Sequence, residues 1–172
     1  NGSLDTTFDA DGKVTTSIPG FANAVAVQPD GKIILVGDNF VLVRFNNNGS
    51  LDMGFGVNGI VVTDFGNTDT AYAIAIQPLD KKIVVAGGSY TSNNVFIVLA
   101  RYNSDGSLDT SFDFDGKVTT SVGANDHILD LALQPDSKIL AAGEGDQIGT
   151  GRDFVLVRYN SDGSLDTTFD SD

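Results

Sequence analysis

Two short segments place carboxylates at alternate positions ahead of a glycine: Asp9-Ala10-Asp11-Gly12 and Asp113-Phe114-Asp115-Gly116. Hard oxygen ligands in that spacing suit Ca²⁺, so Asp9, Asp11, Asp113 and Asp115 are candidate calcium ligands. The pattern lacks the longer loop, the bidentate Glu and the third spaced carboxylate of a full calcium site. A tight turn built from Asp and Gly is therefore the stronger expectation, and no other cofactor is expected. A second pattern pairs opposite charges. Arg44, Arg101 and Arg158 each end an apolar run, and Asp52, Asp109 and Asp166 follow eight residues later. A buried guanidinium needs a partner, so these six residues read as structural ion pairs, and their recurrence argues against catalysis. His127 is the single His and has neither a Ser-Asp companion nor a second His. With no Cys, thiol chemistry and disulfides are excluded. Paired carboxylates can cleave glycosides, but a chain with 22 Asp offers many accidental pairs. The expectation is a protein that is not an enzyme.

The elements that would position these residues follow from composition. Of 172 residues, 23 are acidic and 10 are Lys or Arg, a formal net charge of −13. All the acids but Glu144 are Asp. Asp bonds nearby backbone amides and so favours turns over helix interiors. Together with 20 Gly, this describes a chain of strands and tight turns. The negative charge argues against nucleic acid as a partner. No apolar run approaches the roughly 18 residues of a membrane span, so no membrane insertion is expected. No leader is recognisable at the start, so a mature or excised chain is expected.

Internal repetition dominates. Gly-Ser-Leu-Asp begins at Gly2, Gly49, Gly106 and Gly163, with Phe8, Phe55, Phe112 and Phe169 four residues after each Leu. Gln-Pro recurs at Gln28, Gln77 and Gln134, and Lys-Ile at Lys32, Lys82 and Lys138. Residues 2–17 and 106–121 match at 14 of 16 positions. The repeats run approximately 1–59, 60–116 and 117–172 within one domain. Each reads as four strands, for example 71–77, 82–87 and 95–102 with 60–65 closing the unit before. These runs are short, apolar and bounded by Gly, Pro, Asp or Asn. Between the third and fourth strands lies a long connection. There Asp109 is placed to cap a short helical turn over 110–112. Leu4/Phe8, Leu51/Phe55, Leu108/Phe112 and Leu165/Phe169 are expected to anchor this connection on the sheet.

The pattern of residues 2–14, 24–45 and 106–117 resembles the delta-60 repeat of bacterial proteins. The second copy departs from it, with Met53-Gly54 for Thr-Thr and Asn58-Gly59-Ile60 for Asp-Gly-Lys. The resemblance implies β-propeller blades and a location outside the bacterial cell or at its surface. The expected fold is all-β, with three four-stranded antiparallel repeats as blades. Each blade runs from the Gln-Pro strand innermost to the Gly-Lys-Val strand outermost. On this count the chain starts with a lone outermost strand, 13–18, and its last blade lacks one. Three blades are too few for a propeller, which has about four to eight. A homodimer forming one six-bladed ring is therefore expected, with strand 13–18 completing the last blade of a partner chain. The alternatives are an excised piece of a longer propeller and a β-trefoil-like closed monomer.

Loop length locates a candidate binding surface. From Gly37 to Phe40 is 3 residues, from Gly87 to Phe96 is 9, and from Gly143 to Phe154 is 11. The connections at 19–22, 66–71 and 123–127 vary too. In an up-and-down blade these two sets of loops share one face, so one face is uniform and the other individual. Binding favours variable loops on a rigid scaffold. The individual face would present Phe21, Asp69, Tyr72, Tyr90, Asn93, Asn94, Asp126, His127, Asp146 and Arg152. The expected function is a non-enzymatic extracellular or cell-surface module that binds a protein or glycan through this face. The alternative is a metal-dependent, lactonase-like hydrolase with its metal in the channel. The inner strands are mostly apolar, with Asp130 the exception, which favours the module.

Overall fold

In the computed structural model, which describes residues 2–170, the chain folds into three consecutive antiparallel sheets, with no helix among the described residues. The first sheet contains β1 (Ala22–Val27), β2 (Ile33–Gly37), β3 (Val41–Phe45) and β4 (Ile60–Val62), in that order. The second contains β5 (Thr68–Ile76), β6 (Ile83–Tyr90), β7 (Val95–Tyr102) and β8 (Lys117–Thr120). The third has three strands, β9 (Ala124–Leu133), β10 (Ile139–Gln147) and β11 (Gly151–Tyr159). Each sheet is thus a meander of strands consecutive in the chain, closed in the first two by an outermost strand, β4 or β8, that lies just past the repeat boundary expected at 59 or 116. A trefoil would pair strands from different repeats in a common barrel, so that alternative is excluded. Residues 13–18 belong to no sheet, and β11 carries no strand on its outer edge among the described residues.

The sheets pack face to face as blades. Ile34, Val36 and Leu42 of the first blade, with Phe40 and Phe55, meet Ile83, Val85, Val98, Ala100 and Tyr102 of the second. The opposite face of the second blade, with Val84, Ala86, Ile97 and Leu99, meets Ile139, Ala141, Val155, Val157 and Tyr159 of the third. Strand alternation makes this possible: β6 and β7 send successive side chains to opposite faces, and a middle blade buries both. The run Ile83–Ala86 is accordingly fully buried. Tyr102 and Tyr159 end their strands inside these interfaces, each bonded to a Thr on an outermost segment. Tyr102 Oη lies 2.5 Å from Thr63 Oγ1, and Tyr159 Oη donates to Thr120 Oγ1 at 2.9 Å. Burial pushes the Tyr159 hydroxyl up to about 12, which keeps it a donor.

A bulge recurs in every innermost strand. The register shifts between Ala22 and Ala24, between Ala71 and Ala73, and opposite Ala142/Gly143. Across from each shift stands a glycine: Gly37, Gly87 or Gly143. A Cβ at these positions would lie 1.9, 1.9 and 1.8 Å from the carbonyl oxygens of Phe21, Thr70 and His127. The extra residue bends the inner strand toward its neighbour, and only a residue without a side chain tolerates the approach.

The variable loops differ from their expected form. Their added length goes into strand rather than loop. β6 and β7 extend to the pair Tyr90/Val95, and β10 and β11 to Gln147/Gly151. These are long hairpins standing above the blade edge, with tips at 91–94 and 148–150.

Candidate functional site

On the uniform face, each connection is locked by a three-part ion cluster. In the second blade Asp109 Oδ2 accepts from Arg101 Nε and Lys82 Nζ, both at 2.6 Å. Arg44 and Lys32 hold Asp52 at 2.7 and 2.8 Å, and Arg158 and Lys138 hold Asp166 at the same distances. The guanidinium carbons lie 4.2–4.6 Å from the ring centres of Phe55, Phe112 and Phe169, a favourable cation–π geometry. The second oxygen of each Asp caps a turn, as Asp109 Oδ1 does for Ser111 N at 3.2 Å. The turn stays a turn and does not become the expected helix. Arg44 and Arg101 also reach forward to the backbone carbonyls of Ser104 and Ser161 in the next blade. The anchoring pairs are uneven. Phe55 and Phe112 are fully buried, whereas Leu4, Leu165 and Phe169, where no neighbouring blade covers them, are exposed.

Hydrogen bonds from Lys32 and Lys138 hold the Asp52 and Asp166 carboxyls below the usual range. For Asp109, burial pushes upward, but the bonds from Lys82 and Ser111 and the Arg101 charge overcome it. Each folded value lies below the unfolded value, so the stabilisation is present at neutral pH and lost as the pH falls through the folded values. The thermal midpoint is expected to hold between pH 7 and 5 and to fall steeply below about pH 4. Near-UV circular dichroism across an acid titration measures this; a midpoint unchanged to pH 2.5 would contradict it.

The candidate calcium ligands do not converge. Asp11 and Asp115 accept the amides of Lys13 and Lys117 at 2.9 Å. Asp9 and Asp113 sit at positive φ within the turn, and their amides donate to Asn48 and Asp162 of the adjacent connection. No three His, Asp or Glu side chains gather to hold a metal among the described residues. These loops are turn and blade-contact elements.

The individual face carries two linked polar clusters across the second and third blades. Tyr72, at the bulge of β5, and Tyr90, at the end of β6, share a hydrogen bond of 2.6 Å between their hydroxyls. His127 on β9 approaches Tyr90 Oη at 3.4 Å through Nδ1, with ring centres 5.7 Å apart. Burial, reinforced by Tyr72, pushes the Tyr90 hydroxyl well above its ordinary value. The second cluster starts at Asn94, whose Oδ1 accepts the Asn125 amide at 2.7 Å. Asn125 Nδ2 donates to Asp146 at 2.8 Å, and Asp146 accepts from Arg152 Nε at 3.2 Å. Arg152 also holds Glu144 at 3.0 Å. Hydrogen bonds from Asn125 and Arg152 lower the Asp146 carboxyl.

Four candidates stand apart. Asp69 and Asp126 are buried and turned into their own loops: Asp69 accepts Phe65 N at 2.8 Å, and Asp126 accepts Val122 N at 2.8 Å. Asp126 spends both oxygens on its own loop, whereas Asp69 engages Oδ2 and keeps Oδ1 buried without a partner. Asn93 makes only local turn contacts at the β6–β7 tip. Phe21 is exposed on the first blade, where its amide donates to Asp38 Oδ2 at 3.0 Å, and it shares no hydrogen bond with either cluster. Asn125 and Glu144 join the face without having been singled out. The solitary Glu in an Asp-rich chain is the sequence signal for Glu144; Asn125, which the structure places at positive φ, has none.

A family model described as a β-propeller domain of unknown function, DUF5122, matches residues 28–55, 79–112 and 134–169. No curated protein matches the chain.

Proposed function

The chain belongs to this β-propeller family of unknown function, and on that premise we propose that it is a non-enzymatic module that binds a protein or glycan outside the bacterial cell through its individual face. The observation that carries this reading is the contrast between the two faces. The recurring cations of the uniform face, Arg44, Arg101, Arg158 and their lysines, are consumed by internal ion clusters. The individual face lifts aromatic hydroxyls, amides and the exposed Arg152 on two long hairpins supported by a packed core. Tyr and Arg are the side chains that most often dominate binding, and the hairpins differ in every blade while the scaffold repeats. A location outside the cell is supported by the resemblance to repeats of secreted proteins.

Glycan arrays and peptide display probed with the labelled chain test the reading. Specific ligands are expected, with affinity reduced at least about tenfold by Arg152→Ala and unchanged by Asp30→Ala on the opposite face. Metal-dependent ester or lactone hydrolysis that vanishes with Asp130→Asn would overturn it.

A further inference from the structure

The chain's single His stands at one end of a hydrogen-bonded line that runs through the individual face. Tyr72 Oη and Tyr90 Oη are 2.6 Å apart, and Tyr90 Oη is 3.4 Å from His127 Nδ1. The line crosses from β5 and β6 of the second blade to β9 of the third, and all three side chains are half-buried. Tyr72 Oη has no other hydrogen-bond partner among the described residues. The line therefore has a free end at Tyr72, and its direction is set from His127.

Counting hydrogens fixes that direction. Each hydroxyl carries one hydrogen and donates once. In a neutral imidazole the hydrogen prefers Nε2, which leaves Nδ1 an acceptor. Tyr90 then donates to His127, Tyr72 donates to Tyr90, and the free end at Tyr72 offers only lone pairs. In the imidazolium both ring nitrogens carry hydrogen. Nδ1 then donates to Tyr90, and the 3.4 Å contact has room to shorten as a charge-assisted bond. A half-buried hydroxyl left without an acceptor is costly, so Tyr90 turns its hydrogen to Tyr72. The Tyr72 hydrogen is released to the free end.

We propose that His127 is a proton-controlled switch of the binding face: neutral, it leaves Tyr72 a hydrogen-bond acceptor, and charged, it makes Tyr72 a donor. The face then takes donor-bearing ligands, such as amides and ammonium groups, above the transition and acceptor-bearing ligands, such as carboxylates, below it. Histidine is the side chain whose charge changes between about pH 5 and 8. The other groups around it hold theirs. Burial and Tyr72 keep the Tyr90 hydroxyl well above its ordinary value, and Asn125 and Arg152 keep the Asp146 carboxyl below its own. Charged groups face His127 mainly from β10, where Glu144 stands directly opposite and Asp146 lies two residues on. Both carboxylates bond Arg152. With His127 neutral they share that one cation; with it charged, two carboxylates face two cations. Asp69 on β5 and Asp126 on β9 are buried in their own loops. β7 also packs against β9, and its Val95 and Phe96 bring no charge to this end. Asp38 of the first blade acts on the far side, where its charge reaches Tyr90. The inference rests on the individual face being the binding face, but the switch itself is read without a ligand.

Nuclear magnetic resonance of the isotope-labelled chain, titrated from about pH 8 to 5, tests this directly. One His and four Tyr leave the side-chain spectrum uncrowded. At the alkaline end the ring ¹⁵N signals of His127 should place its hydrogen on Nε2. On acidification the ¹³Cζ signal of Tyr72, two side chains away, should shift with the same midpoint as His127. Tyr102 and Tyr159, bonded to Thr63 and Thr120 inside the blade interfaces, should stay still and so report an intact fold. In Tyr90→Phe, which removes one oxygen, His127 should still titrate while the Tyr72 shift is lost. His127→Gln should abolish the Tyr72 shift as well. A hydrogen on Nδ1 at the alkaline end, a Tyr72 signal that does not move in the unmodified chain, a Tyr72 shift shared by Tyr102 and Tyr159, or one that survives either substitution would each overturn the switch. Such a result would leave the binding reading standing, whereas arrays without a ligand would strike that reading and leave the switch.

Discussion

Asp109→Ala should destabilise the fold by about 3–5 kcal/mol, while Asp5→Ala, in the same Gly-Ser-Leu-Asp sequence, should leave it nearly unchanged. The difference lies in what each carboxylate faces. Removing the Asp109 side chain strands two cations, since Arg101 Nε and Lys82 Nζ both bond its Oδ2 at 2.6 Å in a site where Arg101 is buried. It also removes the caps on Ser111 N and Ser111 Oγ. Breaking a buried pair from one side costs far more than the pair is worth, because the remaining charge is left without compensation. Asp5 is exposed, bonds Thr7, and has no Arg or Lys partner among the described residues. Urea unfolding of the two variants checks this; equal effects would mean the ion clusters contribute nothing beyond the turn cap. Asp166→Ala should fall between them, because Arg158 keeps partial access to water.

That contrast shows where sequence reading succeeds and where it stops. Arg44, Arg101 and Arg158 at a constant eight residues from Asp announce a contact, because both ends recur and a buried guanidinium must be matched. The lysines at 32, 82 and 138 also recur, but nothing in one dimension says they reach the same carboxylate. The strand expected at 13–18 rests on the identity of residues 13–16 with 117–120, yet a strand exists only when an edge receives it, and no edge among the described residues does. On the individual face the limit is different. Asp69 and Asp126 read as loop carboxylates available to a ligand, and only the three-dimensional turn shows them buried and bonded to backbone amides of their own loops. The lengths of the hairpins at 87–96 and 143–154 were visible as numbers. Their conversion into paired strand, which raises Tyr90 and Arg152 above the blade, depends on cross-strand pairing from Thr68 to Tyr90 and from Asp146 to Arg152. The bulges left no common residue of their own, since Asn23, Tyr72 and Leu129 share no chemistry. Their trace is on the opposite strand, in the glycine of each Lys-Ile run.

Those glycines carry the second large effect. Gly87→Ala is expected to cost about 3 kcal/mol, at or beyond the upper end of ordinary overpacking, and Gly37→Ala and Gly143→Ala should behave alike. The added methyl would lie 1.9 Å from Thr70 O and 2.9 Å from Ala71 Cα. Both atoms are backbone, so no rotamer change relieves the clash. The neighbouring strand must retreat, and it cannot do so cheaply, because Ala71 and Ala73 on either side of the bulge are buried in the core. The same retreat would carry Tyr72 away from Tyr90, so binding through the individual face should weaken even in the fraction of Gly87→Ala that stays folded. Gly54→Ala is the control. Its Cβ would find only Asp52 Oδ1 at 3.5 Å, an ordinary contact, and Gly54 is not at positive φ. Losing a glycine from the unfolded chain there should leave stability unchanged or raise it by up to about 1 kcal/mol. Thermal and urea unfolding of the pair separate a steric requirement at the bulge from a general intolerance of substitution. If Gly87→Ala is as stable as Gly54→Ala, the inner strands have room to move, and the bulge cannot be what holds the two tyrosines together.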